Sequence, residues 1–111
     1  MRYILNSAVI TSPGIYAYRL VSPDEARAWA QAGPFISTIG YAETAAFAAE
    51  LLGVPVPTNR TTVRMEPDDE ALVVRIVLPP GSSRIDPADK GRLGRLILEG
   101  HFELGLLTRL G

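Results

Sequence analysis

The sequence predicts an α/β (α+β) domain, a mixed β-sheet of about five strands with helices packed on it, and three observations predict it. Residues Ala71 to Leu78 are almost continuously apolar, as a strand covered on both faces must be. Two segments, opening near Ser22 and near Gly40, carry helix start and stop signals around apolar positions at helical spacing. A turn sequence, Glu66-Pro67-Asp68-Asp69, implies at least one hairpin, so the sheet is not purely parallel. The 111 residues supply one core and are too few for two, so one domain is expected over 1–111.

Taken in order, Arg2 to Ile10 reads as a strand, and Ser12-Pro13-Gly14 as the turn into a second, Ile15 to Leu20. Ser22-Pro23-Asp24-Glu25 starts a helix as a capping box, with Ser22 at the N-cap, Pro23 first in the helix and Val21 stapled onto Ala26. Trp29 shares this helix's apolar spacing and reads as core. Gly33-Pro34 stops the helix, because proline cannot continue it. Phe35 to Ile39 is a short strand that breaks at Gly40. The following helix places Thr44, Phe47, Ala48, Leu51 and Leu52 on one apolar face and ends at Gly53. Its small residues Ala45, Ala46 and Ala49 leave other faces open to close approach. Thr61 to Met65 is expected to pair with Ala71 to Leu78 as a hairpin, with Arg75 the one charged interruption. After the loop 79–83, Asp86-Pro87 opens a weaker helix with Leu93, Leu96 and Ile97 inward, and Phe102 to Leu110 is the last strand.

Composition excludes several functions. At 47% hydrophobic and 21% charged the chain is globular and not disordered. A net charge of −1 argues against coating long nucleic acid, yet leaves room for a local basic pocket for one small anion. The absence of cysteine excludes disulfides, thiolate catalysis and Cys-ligated zinc, and one histidine makes no His-rich metal site, so no metal or other cofactor is expected. His101 itself, at the start of the last strand, reads as structural. The acidic run from Glu66 to Glu70 lacks metal-loop spacing and reads as a solvated turn; Lys90, Arg92 and Arg95 read as a solvated helix face. No run is long enough for a membrane-spanning helix, and RYILNSAVI is short and lacks a cleavage site, so a cytoplasmic location is expected.

The stretch from Phe35 to Arg60 carries the chemistry. Gly40 at a helix entrance leaves the N–H groups of the first turn pointing outward, a geometry that binds anions without a metal. Arg60 offers a planar fork for phosphate. The plainer alternative is a tight turn closed by Thr38 or the Gly40 backbone, and most such helix starts bind nothing.

Three segments in combination carry a resemblance: YILNSA near the start, IG-x-x-x-T-A-x-x-x-x-x-LLG-V-x-VP-x-NR from Ile39 to Arg60, and FELGLLTRL near the end. Together they resemble a family of small proteins from archaeal viruses, phages and bacteria that includes the type III anti-CRISPR ring nucleases, which degrade cyclic tetra-adenylate. The resemblance runs over nearly the whole chain. It implies a homodimer that binds a cyclic oligonucleotide second messenger, of the cyclic oligoadenylate type, across its interface, in the host cytosol if virus-encoded. The ligand-binding residues expected are Asn6, Ser7, Thr38, Gly40, Tyr41, Asn59, Arg60 and Arg75. The alternatives are a loop hydrogen bond for Asn6 and Ser7, a solvated charge for Arg60, and for Arg75 a buried stem with its head in water.

Two departures from the family bear on catalysis. Where the family pattern has His after the Ile-Gly pair, this chain has Tyr41. In the related nucleases that His protonates the leaving oxygen while a ribose 2′-hydroxyl attacks in line, so proximity supplies much of the acceleration and no metal is needed. A phenol, with a reference pKa near ~10, donates more weakly. Tyr41 is thus a slow catalytic acid, a base-stacking contact or a packing residue. The family's Arg-Leu-x-Glu-Gly segment reads Val77-Leu78-Pro79-Pro80-Gly81 here, without the assisting Arg and Glu. The expectation is a sponge or a slow metal-independent ring nuclease, with a non-catalytic interaction module of the same fold as the alternative.

Overall fold

The computed structural model describes residues 1–7, 12–77 and 100–111. Along them run β1 (Arg2–Leu5), β2 (Tyr16–Leu20), α1 (Pro23–Gln31), β3 (Ile36–Ser37), α2 (Ala42–Leu52), β4 (Glu70–Ile76) and β5 (Phe102–Arg109). The strands form one mixed sheet in the order β2-β5-β4-β1-β3. β3 and β4 flank β1 and run parallel to it, whereas β5 is antiparallel to both β4 and β2. Since β3 and β4 run the same way on either side of β1, the chain must return to the same end between them, and α2 lies in that crossover.

Local signals set the helix limits as the sequence predicts. Ser22 Oγ accepts the Glu25 N–H at 3.1 Å, with Pro23 opening α1. The hydrogen bond from Arg19, aided by the Ser22 N–H, holds the Glu25 carboxyl below its usual range. α2 ends at Gly53, whose φ of 69° is cheap only for glycine. Neither helix has a basic residue in its last turn, so their carbonyl ends are capped from elsewhere. Arg27 Nε and Gln31 Nε2 of α1 donate to Leu51 and Leu52 at 3.2 and 3.0 Å. Arg2 does the same for α1, donating to the Trp29 and Pro34 carbonyls while its guanidinium lies 3.9 Å over the Trp29 ring. Trp29 in turn stacks on Phe35 at the margin of the core.

The core lies mainly between the sheet and the two helices. Ile4, Leu72, Val74 and Leu104 meet Ala26, Ala30, Ala45, Ala48 and Leu52 there, with Ile39 closing the end. Ile4, Ile39, Leu52 and Leu72 are fully buried, at about 1.5–3 kcal/mol each, so this face carries most of the stabilisation. The opposite face holds Leu5, Ala71, Val73 and Leu107 under Met65 and Val63. β4 is therefore covered on both sides, as its continuous apolar run predicts.

Three expectations are corrected. Thr61 to Met65 is not a strand, because β1 and β5 occupy both edges of β4 and leave no place for a hairpin partner. The segment instead crosses the sheet face, using Val63 and Met65 to cover Ala71 and Val73. Ala45, expected on an open face of α2, is 2% exposed and belongs to the core. The turn at 66–69 does form, but Asp69 is not solvated: it is 5% exposed, accepts the Glu66 N–H at 2.8 Å and pairs with the Met1 ammonium at 2.8 Å. Residues 8–10 of the expected first strand, the loop from Pro79, the helix from Asp86 and the Lys90, Arg92, Arg95 cluster lie outside the described residues.

Asp69 makes stability pH-dependent. Burial pushes its carboxyl up, but the Met1 ammonium, the Glu66 N–H and the Arg109 charge outweigh burial and hold it below its ordinary value. A carboxyl depressed on folding stabilises above its unfolded pKa, and the contribution is lost as pH falls through the folded one. Urea midpoints of the native protein should thus fall between about pH 5 and pH 3, and fall less for Asp69→Asn. An equal fall in both would assign the acid sensitivity to another carboxylate.

Candidate functional site

The site is assembled where β3 gives way to α2. Thr38 fastens this corner to β1, its backbone N–H and its hydroxyl both donating to the Ile4 carbonyl at 2.9 and 3.0 Å. The loop after α2 then returns along the outer edge of β3. Ser37 Oγ donates to the Pro57 carbonyl at 2.7 Å, the Asn59 amide Nδ2 to the Ser37 carbonyl at 2.8 Å, and the Asn59 N–H to the Ile39 carbonyl at 2.8 Å. These bonds satisfy an edge strand that has only two residues, and they deliver Arg60 onto Gly40. A Cβ on Gly40 would lie 2.9 Å from Arg60 Nε and 3.2 Å from Arg60 Cβ. A side chain at position 40 would crowd Arg60 and shift it from this path.

Gly40 itself is one residue outside the helix; the N-cap is Tyr41. No side chain caps this end, and the Tyr41 carbonyl accepts the Ala45 N–H at 3.0 Å, so the first turn of α2 presents uncapped N–H groups. Tyr41 is 45% exposed, and the Arg60 guanidinium carbon lies 5.3 Å from its ring centre. Among the described residues no carboxylate pairs with Arg60. Glu43 stands in the first turn, where its charge complements the helix end and competes with an incoming anion.

The remaining residues expected at the site fall into two places. Asn6 and Ser7 follow β1 in a half-buried bend. With Ile4 opposite Ser37 and Leu5 opposite Val73, they leave the sheet at the same end as Thr38 and Gly40. Arg75 is at that end too, but on β4, two strand spacings or roughly 10 Å from β3. It shares the sheet face of Ala71 and Val73, away from the helices, and its Nη1 lies 3.5 Å from Glu103 Oε1. Tyr18 donates to the same oxygen at 3.1 Å, its ring lying flat where a Cβ on Gly105 would sit. Burial and then the Glu103 carboxylate raise the Tyr18 pKa. Gly40, Tyr41, Asn59 and Arg60 thus form one cluster, with Thr38 beneath it, Asn6 and Ser7 alongside, and Arg75 in a separate one.

Sequence reasoning passed over Ser37 and Glu43. The signal for Ser37 was a small hydroxyl residue in an apolar strand facing a Pro-rich loop; for Glu43 it was an acid in a first turn. Tyr18 and Glu103 were also missed, and Gly105 inside a strand was their pointer. Chemically, the cluster can hold an anion with a fork and helix N–H groups, and Tyr41 adds an exposed aromatic face with a hydroxyl. Among the described residues no group of His, Asp and Glu is placed to hold a metal ion, and no helix is long and apolar enough to cross a membrane. An open cleft of about 530 Å³ near His101 and Pro23 lies beside β5, apart from this cluster.

Comparison with known proteins shows a family and a shared fold. Uncharacterized protein YddF of Bacillus subtilis (strain 168) is 42% identical over 62 residues, 54% of this chain and 57% of that protein, so the match spans little more than half of that relative. B116 of Sulfolobus turreted icosahedral virus superposes over 97% of this chain and 98% of its own, with a TM-score of 0.70 at 19% identity, a likeness of fold. The STIV B116-like family model matches residues 2–80, from β1 through β4 and across the whole Ser37–Arg60 corner. The chain belongs to the STIV B116-like family.

Proposed function

We propose that the protein binds a cyclic oligonucleotide of the cyclic oligoadenylate type, at a site built on Arg60, Gly40 and the first turn of α2. The observation that carries this reading is Arg60, laid across Gly40 without a carboxylate partner among the described residues, beside a helix end that no side chain caps. Family membership and the resemblance to type III anti-CRISPR ring nucleases support it. A homodimer would repeat the site by a two-fold axis, which suits a cyclic ligand with its own two-fold symmetry. Ala45 gives this dimer no surface, since the core uses it; Ala42 and Ala46 are the exposed small residues of α2. With Tyr41 in place of the family's His, the protein sequesters the ring or cleaves it slowly without a metal.

Thermal unfolding with cyclic oligoadenylates of several ring sizes tests this, with linear oligoadenylate and inorganic phosphate as comparisons. A ring at ~100 times its dissociation constant stabilises by about 2.7 kcal/mol, a rise of several degrees in melting temperature. Light scattering should return twice the 12.0 kDa chain mass at micromolar concentration. A single-chain mass removes the two-fold site. A dimer whose melting no ring shifts would support the second reading, an interaction module, which Glu43 in the first turn favours.

A further inference from the structure

We propose that Asn59 acts on the ligand only through Arg60: it is a positioning residue, and its amide sets the loop that lays Arg60 across Gly40. This rests on the binding function proposed above. The amide Nδ2 is directed at the Ser37 carbonyl, and the Asn59 N–H at the Ile39 carbonyl, so the residue is held at two points on the edge of β3. The Ser37 hydroxyl, itself buried, holds the same loop two residues earlier through Pro57. Pro55 and Pro57 have fixed φ, which leaves the loop few other paths between Gly53 and Asn59. The residue that follows Asn59 therefore leaves the clasp in one direction, and its stem lies against Gly40, with Arg60 Cγ 3.3 Å from where a Cβ would stand. An arginine held in this way loses little further freedom when an anion arrives, so the clasp raises affinity without touching the ligand.

A double-mutant cycle with cyclic tetra-adenylate as the probe decides the point. Asn59→Ala should weaken binding about tenfold when Arg60 is present, and less than about twofold in the Arg60→Ala background. Ser37→Ala, which removes the other end of the clasp from a buried position, should follow the same pattern. Equal losses in both backgrounds would overturn the proposal and place Asn59 on the ligand. A second measurement needs no ligand. Arg60 side-chain protons, lying over the Tyr41 ring, should show a ring-current shift in the nuclear magnetic resonance spectrum that disappears in Asn59→Ala and in Ser37→Ala. Persistence of that shift in both variants overturns the positioning role. Absence of binding by the native protein rejects the proposed function while the shift still decides the clasp.

Discussion

Arg60→Ala is expected to weaken binding of a cyclic oligoadenylate by about 10²-fold or more while leaving the free protein as stable as before. A hydrogen bond to a charged partner contributes roughly 1.5–3 kcal/mol, and the proposed two-fold dimer would present the residue twice, so about 3–6 kcal/mol would depend on this side chain. The fold does not depend on it. Arg60 is exposed, and its side chain packs on Gly40 and lies against the face of Tyr41, so its loss should change unfolding free energy by no more than about 0.5 kcal/mol. Arg60→Lys separates charge from shape: a point charge without the fork should recover only part of the affinity. Calorimetric titration of the three proteins, with urea unfolding of each, measures both quantities. Unchanged affinity in Arg60→Ala would move the phosphate contact elsewhere in the molecule.

Tyr41→His is expected to give the largest change in rate. The native protein should bind the ring and turn it over slowly or not at all, with or without divalent metal. The His variant should cleave faster by up to ~10²-fold, within the range general acid catalysis supplies. Tyr41 suits the exchange because it is exposed and makes no capping hydrogen bond at the start of α2. The positive end of that helix disfavours imidazolium, so the gain should grow as pH falls below the ordinary histidine value of ~6.5. Recovery should stay incomplete, since Val77 to Gly81 lacks the Arg and Glu that the resemblance to ring nucleases leads one to expect there. Single-turnover assays with separated products give the rates. Fast cleavage by the native protein that survives Tyr41→Phe would mean that another residue carries the proton.

How much of this was legible in the chain depends on how local each signal is. The limits of α1, from Ser22 to Gly33-Pro34, and the stop of α2 at Gly53 follow from capping chemistry within a few residues, and the structure agrees. The central place of β4 follows from its unbroken apolar run, because a strand covered on both faces has no polar side to show. Gly40 and Arg60 also stand out locally, one as a tight turn at a helix entrance and the other as a candidate fork for phosphate; that the two pack together is a fact of the fold. Tertiary structure alone decided the rest. A strand has only two edges, and β1 and β5 took both edges of β4, so Thr61 to Met65 became a cover instead of a partner. Thr38 and Asn59 have donors that suit a ligand or a backbone carbonyl equally, and the choice fell to Ile4 and Ser37, 34 and 22 residues away. Asp69 found its cation at Met1, 68 residues away. Composition and periodicity specify what a residue can bond to, but which partner it meets is settled by the competition for strand edges and buried space, and that competition exists only once the chain is folded.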